Sequence, residues 1–137
     1  MITIERILCA VDQSVYSPRT VRRALVLGRR VRAKVIVMTV NTGVAPSVWE
    51  PGRAGSAAGS DSAAAQRLFE FAADAAGIAP SKAVVVNGSV VPEVLGVAES
   101  EAADLLGVGL HGPPSGFFER TSAWEAGELA ETYPSGL

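Results

Sequence analysis

The sequence predicts an α/β domain built on a doubly wound parallel sheet with helices on both faces. Four short apolar runs, at residues 7–11, 35–40, 83–86 and 104–109, are separated by segments with helical spacing. Parallel neighbours need crossover helices, so this alternation implies parallel strands. The runs are continuous rather than alternating, as expected of strands covered on both sides. With 137 residues, 48% hydrophobic residues and a formal net charge of -2, the chain suits one core rather than two domains or a disordered polymer. A single domain over 1–137 is therefore expected.

The first strand is Ile7-Leu-Cys-Ala-Val11. Ser17-Pro18 then offers a cap followed by proline at the first helical position, opening a helix that runs to about Val31. Val35-Ile-Val-Met-Thr-Val40 forms the second strand through its β-branched content. Residues 41–65 shift to Gly, Ser, Ala and Pro and are expected to be a flexible loop, with Trp49 as its one large anchor. A helix begins near Ser62 and directs Leu68, Phe71, Ala72 and Ala75 inward until Gly77 and Pro80 end it. Ala83-Val-Val-Val86 is the third strand, closed by Asn87-Gly88. The next helix is expected from Pro92, with Val94, Leu95, Ala98 and Ala102 inward and Gly96 costing ~1 kcal/mol relative to alanine. Asp104-Leu-Leu-Gly-Val-Gly109 is the fourth strand.

Charge divides the chain. Residues 1–53 hold nine Lys or Arg against three Asp or Glu, a local charge of +6; residues 54–137 hold three against eleven, or -8. Seven positive residues and no acid lie between Arg19 and Lys34. On a helix Arg19, Arg22, Arg23, Arg29 and Arg30 share one arc, opposite Val21, Ala24, Leu25, Leu27 and Gly28. This reads as a solvated helix face, with anion binding as the alternative. No aromatic or glycine-rich RNA motif interleaves with the arginines, so nucleic acid is not the expected partner. No run of 18 apolar residues exists to cross a membrane, and the N-terminus lacks the pattern of a secretory leader, so a cytoplasmic setting is expected. Cys9 is the single cysteine and His111 the single histidine. Cys9 reads as a small core hydrophobe and His111 as a loop residue, and no metal site is expected.

Gly107-Val-Gly-Leu-His-Gly112 matches the G-x-G-x-x-G dinucleotide fingerprint. The fingerprint needs a following helix and another strand with an acid, but Pro113-Pro114 follows at once and 25 residues remain after Gly112. A NAD-binding reading fails on length, and no P-loop motif occurs. Asp12 directly follows the first strand. Open parallel sheets bind ligands at the carboxyl ends of their strands, which would bring Asp12, Val40 and Gly109 together. The alternative is an aspartate capping local backbone amides. Glu119, Glu125, Glu128 and Glu131 are spaced like a solvated helix face, and no Ser/His/Asp set suggests a hydrolase.

Four segments in order resemble the universal stress protein family. Ile7-Leu-Cys-Ala-Val-Asp-Gln-Ser14 is similar to its first strand and Asp-containing turn, and Ala33-Lys-Val-Ile-Val-Met-Thr-Val40 to its second strand. Gly88-Ser-Val-Val-Pro-Glu-Val-Leu95 resembles its third-strand exit, and residues 102–112 its fourth strand and phosphate loop. The resemblance implies a Rossmann-like fold on a five-stranded parallel sheet. It also implies an adenine-nucleotide (ATP) binding or signalling module of the stress response, with Mg2+ carried along by ATP. In binding members G-x-x-G, about nine residues, then G-[ST] wraps phosphates and ribose. Carried over, Asp12 and Val40 hold adenine, Gly109 and Gly112 the phosphates, and Ser122 donates a hydroxyl.

The chain departs from that pattern in two places. The expected G-[ST] falls on Ser122-Ala123 or Thr121-Ser122, and neither contains glycine. A Cβ there obstructs the approach of backbone N–H groups to a phosphate. The segment 113–137 is atypical: where the family places a proline-led apolar fifth strand, no apolar run occurs, so four strands are expected and the fifth is absent. Either a shifted frame or truncation near Ser122, or a lineage that lost the strand, accounts for this. A homodimer seamed on that strand is expected to be weakened. Binding rather than turnover is expected, with at most weak ATPase activity, since Arg120 is the one cation in the loop to stabilise transferred charge. The alternative is a protein-interaction module of the same fold with a degenerate phosphate loop and no nucleotide.

Overall fold

The first three apolar runs each become a parallel strand followed by a connection long enough to cross over and cover the sheet, and the fourth joins the sheet beside the first. The computed structural model describes residues 3–11, 17–41, 63–109 and 116–119. In chain order these form β1 (Arg6–Val11), α1 (Ser17–Val31), β2 (Lys34–Asn41), α2 (Ala63–Ala76), β3 (Lys82–Asn87), α3 (Val90–Ser100), β4 (Leu105–Gly109) and β5 (Gly116–Glu119). The sheet order is β3-β2-β1-β4-β5. β1 to β4 are mutually parallel, with Cys9 level with Val37 on one side and Gly107 on the other.

The helices divide between the faces as right-handed crossovers require. The steps β1 to β2 and β2 to β3 move one way across the sheet, and the step from β3 to β4 moves back, so α3 must lie on the opposite face. Ile7, Cys9 and Val11 accordingly pack with Val21, Ala24 and Leu25 of α1 and Leu68 and Ala72 of α2. Leu8 and Ala10 pack with Val90, Val91, Val94 and Ala98 of α3. Phe71 and Ala75 are partly buried against the first cluster and Leu95 against the second.

The structure corrects several expectations. A fifth strand exists: Gly116-Phe-Phe-Glu119 pairs antiparallel with β4, Leu106 opposite Phe118 and Gly107 opposite Phe117. Six residues separate it from β4, far short of the dozen or so a parallel crossover needs, so the sheet is mixed and β4 is not its edge. Helix α3 starts at Val90, two residues before Pro92, which sits in the first turn where its missing N–H costs no helical bond. Ala102 lies beyond that helix, exposed, at φ 54°, and Ala103 is the buried residue in its place. Asn41 belongs to β2 and Ala63 to Ala65 to α2, narrowing the expected loop at both ends; 42–62 lie outside the described residues. Asp104 precedes β4 and works as a clasp: its Oδ2 accepts from the backbone N–H groups of Glu5 and Arg6 at 2.9 and 3.1 Å, while its own N–H donates to the Arg6 carbonyl.

Among the described residues the three helices each end on a residue in the left-handed region. Arg32 (φ 59°) follows α1, Gly77 (φ 69°) follows α2 and Ala102 follows α3. After α1 the N–H of Ala33 donates to the Gly28 carbonyl at 2.8 Å, and after α3 that of Ala103 donates to the Ala98 carbonyl at 2.9 Å. These are the six-to-one bonds of a Schellman cap, which turn the chain sharply into the next strand.

Candidate functional site

Strand order reverses at β1: β2 and β3 lie to one side, and β4, the strand that follows them, to the other. In an open α/β sheet this reversal leaves a crevice outside the carboxyl ends of the two central strands, because the connections leave toward opposite faces. Here those ends are Val11 and Gly109, direct partners in the β1/β4 register.

The carboxyl edge is stepped. Pairing of β1 with β2 stops at Ala10 and Met38, while β2 and β3 stay paired to Asn41 and Asn87, and the Gly88 N–H donates to the Asn41 carbonyl at 3.1 Å. The last residues of β2 thus stand beyond the end of that ladder at the carboxyl edge. Where it stops, the buried Thr39 hydroxyl donates to the Val11 carbonyl at 2.7 Å. A side chain there replaces the ladder, fixing the level of Val11 against β2.

Of the five residues singled out from the sequence, two lie in the described parts. Val40 is half-buried, packed against the cluster on the α3 face, and is the penultimate rather than the last residue of β2. With its side chain so engaged, its backbone is what it offers the crevice. Gly109 closes β4 beside Val11. Asp12, which follows Val11 directly, and Gly112 and Ser122 lie outside the described residues, as does His111.

Thr39 is the residue the sequence reading missed. Inside a run of Val, Ile and Met it reads as one more β-branched strand former, yet a hydroxyl at such a position must find an acceptor, and that requirement was the available signal. Cys9, fully buried on β1, takes no part: burial pushes its thiol up to about 12, so no thiolate nucleophile exists near neutral pH. Among the described residues no group of three or more His, Cys, Asp or Glu is placed to hold a metal ion, and no helix is long and apolar enough to cross a membrane.

A parallel sheet whose strand order reverses at its first strand, with helices on both faces, defines the Rossmann-like class of α/β domains. The family within that class follows from sequence: residues 3–123 match the model of the universal stress protein family, and the chain belongs to it. Solved structures share the fold. A universal stress protein crystallised in complex with cAMP is 22% identical, with a TM-score of 0.51 over 77% of this chain and 72% of that one. A universal stress family protein from Burkholderia pseudomallei is 18% identical, with a TM-score of 0.52 over 81% and 85%. Protein Rv1636 from Mycobacterium tuberculosis H37Rv is 20% identical, with a TM-score of 0.51 over 96% and 93%. At these identities the likeness is one of fold. A comparison with curated proteins finds no match.

Proposed function

We propose that the chain is an adenine-nucleotide-binding module of the stress response that holds ATP, with its Mg2+, in the crevice at the carboxyl edge. The observation that carries this reading is the direct pairing, where strand order reverses, of Val11, which precedes Asp12 in the chain, with Gly109, the first glycine of the proposed phosphate pair. A family relative crystallised with cAMP supports an adenine nucleotide as the ligand class. Asp12 accepts from the adenine amino group, a charge-assisted bond worth ~1.5 to 3 kcal/mol, and the Val40 backbone lies against the base. Gly109 and Gly112 let backbone N–H groups reach the phosphates, and Ser122 adds a hydroxyl. The module binds without turning its ligand over and works in the cytoplasm. A homodimer seamed on β5 has four residues of strand to pair, so it is weak.

One feature of the sequence favours a second reading, a protein-interaction module without nucleotide: Thr121 and Ser122 stand where a glycine would admit the phosphate. Thermal unfolding with millimolar ATP, adenosine or no ligand separates the two. A rise in midpoint with ATP that disappears in Asp12→Ala supports the nucleotide reading. No rise with either ligand moves the assignment to the interaction module.

A further inference from the structure

The outward face of α1 carries Arg19, Arg22, Arg23, Arg29 and Arg30, all exposed, with Val26 among them at 39% exposure. At 100° per residue these six positions fill an arc of about 120° and run about 16 Å along the helix. The helix contains no acidic residue, so none of the i,i+4 pairs of opposite sign that usually offset such a row is present. Among the described residues none of the five arginines is in an ion pair; the salt bridge there joins Lys82 to Glu101. Arg22 is held from one side, its Nε donating to the Ala75 carbonyl at 3.2 Å. A face built only for solubility mixes charges, whereas this one sets Arg19 against Arg22 and Arg23 and leaves an apolar side chain in the middle.

We propose that this face is a docking surface for an acidic segment of a partner protein, whose carboxylates pair with the arginines around Val26. Guanidinium groups present planar forks that fit carboxylates two bonds at a time, which lysines would not. The choice of partner follows from the surroundings. The neighbouring α2 packs beside α1 on the same face of the sheet and exposes Glu70 and Asp74. A long phosphate backbone or a flat anionic bilayer laid over α1 would meet those acids, whereas a segment one helix wide avoids them. An apolar side chain within that segment covers Val26, a contact that neither phosphates nor lipid headgroups offer.

The test uses the full chain without nucleotide, so it is independent of the crevice. Fluorescence anisotropy would follow three probes at equal ionic strength: a labelled peptide of glutamates flanking one leucine, the same peptide with serine for leucine, and a DNA duplex of arbitrary sequence. The leucine peptide is expected to bind tighter than the serine peptide by about threefold, a difference removed by Val26→Ser. Charge reversal by Arg23→Glu with Arg30→Glu is expected to weaken it at least about tenfold. The milder pair Arg23→Gln and Arg30→Gln should act in the same direction, with circular dichroism unchanged for every variant since all these side chains are exposed. DNA binding as tight as the leucine peptide, indifference to Val26, or no binding by either peptide would each overturn the proposal.

Discussion

Thr39 Oγ1 donates to the carbonyl oxygen of Val11 at 2.7 Å, joining β2 to β1 at the residue before Asp12. The bond is buried, and it stands where the β1/β2 ladder has already ended. Thr39→Val keeps the shape and removes the donor, and with it the buried bond to the Val11 carbonyl. The expected loss is about 1 to 3 kcal/mol of stability, read as a lower urea midpoint at unchanged slope. Thr39→Ser keeps the hydroxyl and should lose about 1 kcal/mol, from its missing methyl group.

Two helix ends hold side chains where glycine is preferred. Arg32→Gly and Ala102→Gly should each stabilise the chain by about 0.5 to 1 kcal/mol, because a Cβ in the left-handed region is strained and glycine is not. Gly77→Ala is expected to do the opposite at the third end. Thermal midpoints measured side by side check all three, with shifts of about 2 to 6 °C.

Glycine to alanine should have opposite signs in the two helix interiors. A Cβ on Gly28 would run into Val35 Cγ2 and press on the Ala33 carbonyl, so Gly28→Ala should cost about 1 to 3 kcal/mol although alanine is the better helix former. Around Gly96 the space is open, and Gly96→Ala should gain about 1 kcal/mol. Denaturant unfolding of the pair decides whether close approach or propensity governs each site.

Burial raises the Cys9 thiol from 9.0 to about 12. In the unfolded chain the thiol loses its proton from about pH 9 upward, while the folded chain keeps it, so the unfolded state binds fewer protons and stability falls as pH rises. The contribution is full below pH 9 and declines by about 1.4 kcal/mol per unit between 9 and 12. Cys9→Ala lacks this slope, so the difference in unfolding free energy between the two proteins should shrink across that window. Parallel curves would show that the thiol ionises alike in both states.

On the phosphate side of the proposed site, Ser122→Gly or Thr121→Gly should tighten ATP more than adenosine, since only ATP carries phosphates for the freed backbone to meet. Calorimetry against both ligands measures this. Equal tightening would place the effect elsewhere than at the phosphates.

Local pattern alone determined the four parallel strands, the three crossover helices and the buried place of Cys9. Continuous apolar runs and 3.6-residue spacing report which surfaces of an element are covered, and connection length reports how neighbouring strands run. The same logic put the end of β4 at Gly109 and that of β2 at Val40, one residue short of Asn41, since apolar runs stop near strand ends. The tertiary structure decided what lies opposite each residue. Gly116-Phe-Phe-Glu119 is too short to declare itself a strand until β4 offers an edge to pair with. Asp104 reads as part of a strand until its carboxylate meets the amides of Glu5 and Arg6, nearly a hundred residues away in sequence. Thr39 reads as a strand former until the Val11 carbonyl, 28 residues earlier, takes its proton donor. Such partnerships join distant parts of the chain, and periodicity, a property of neighbours in sequence, carries no record of them.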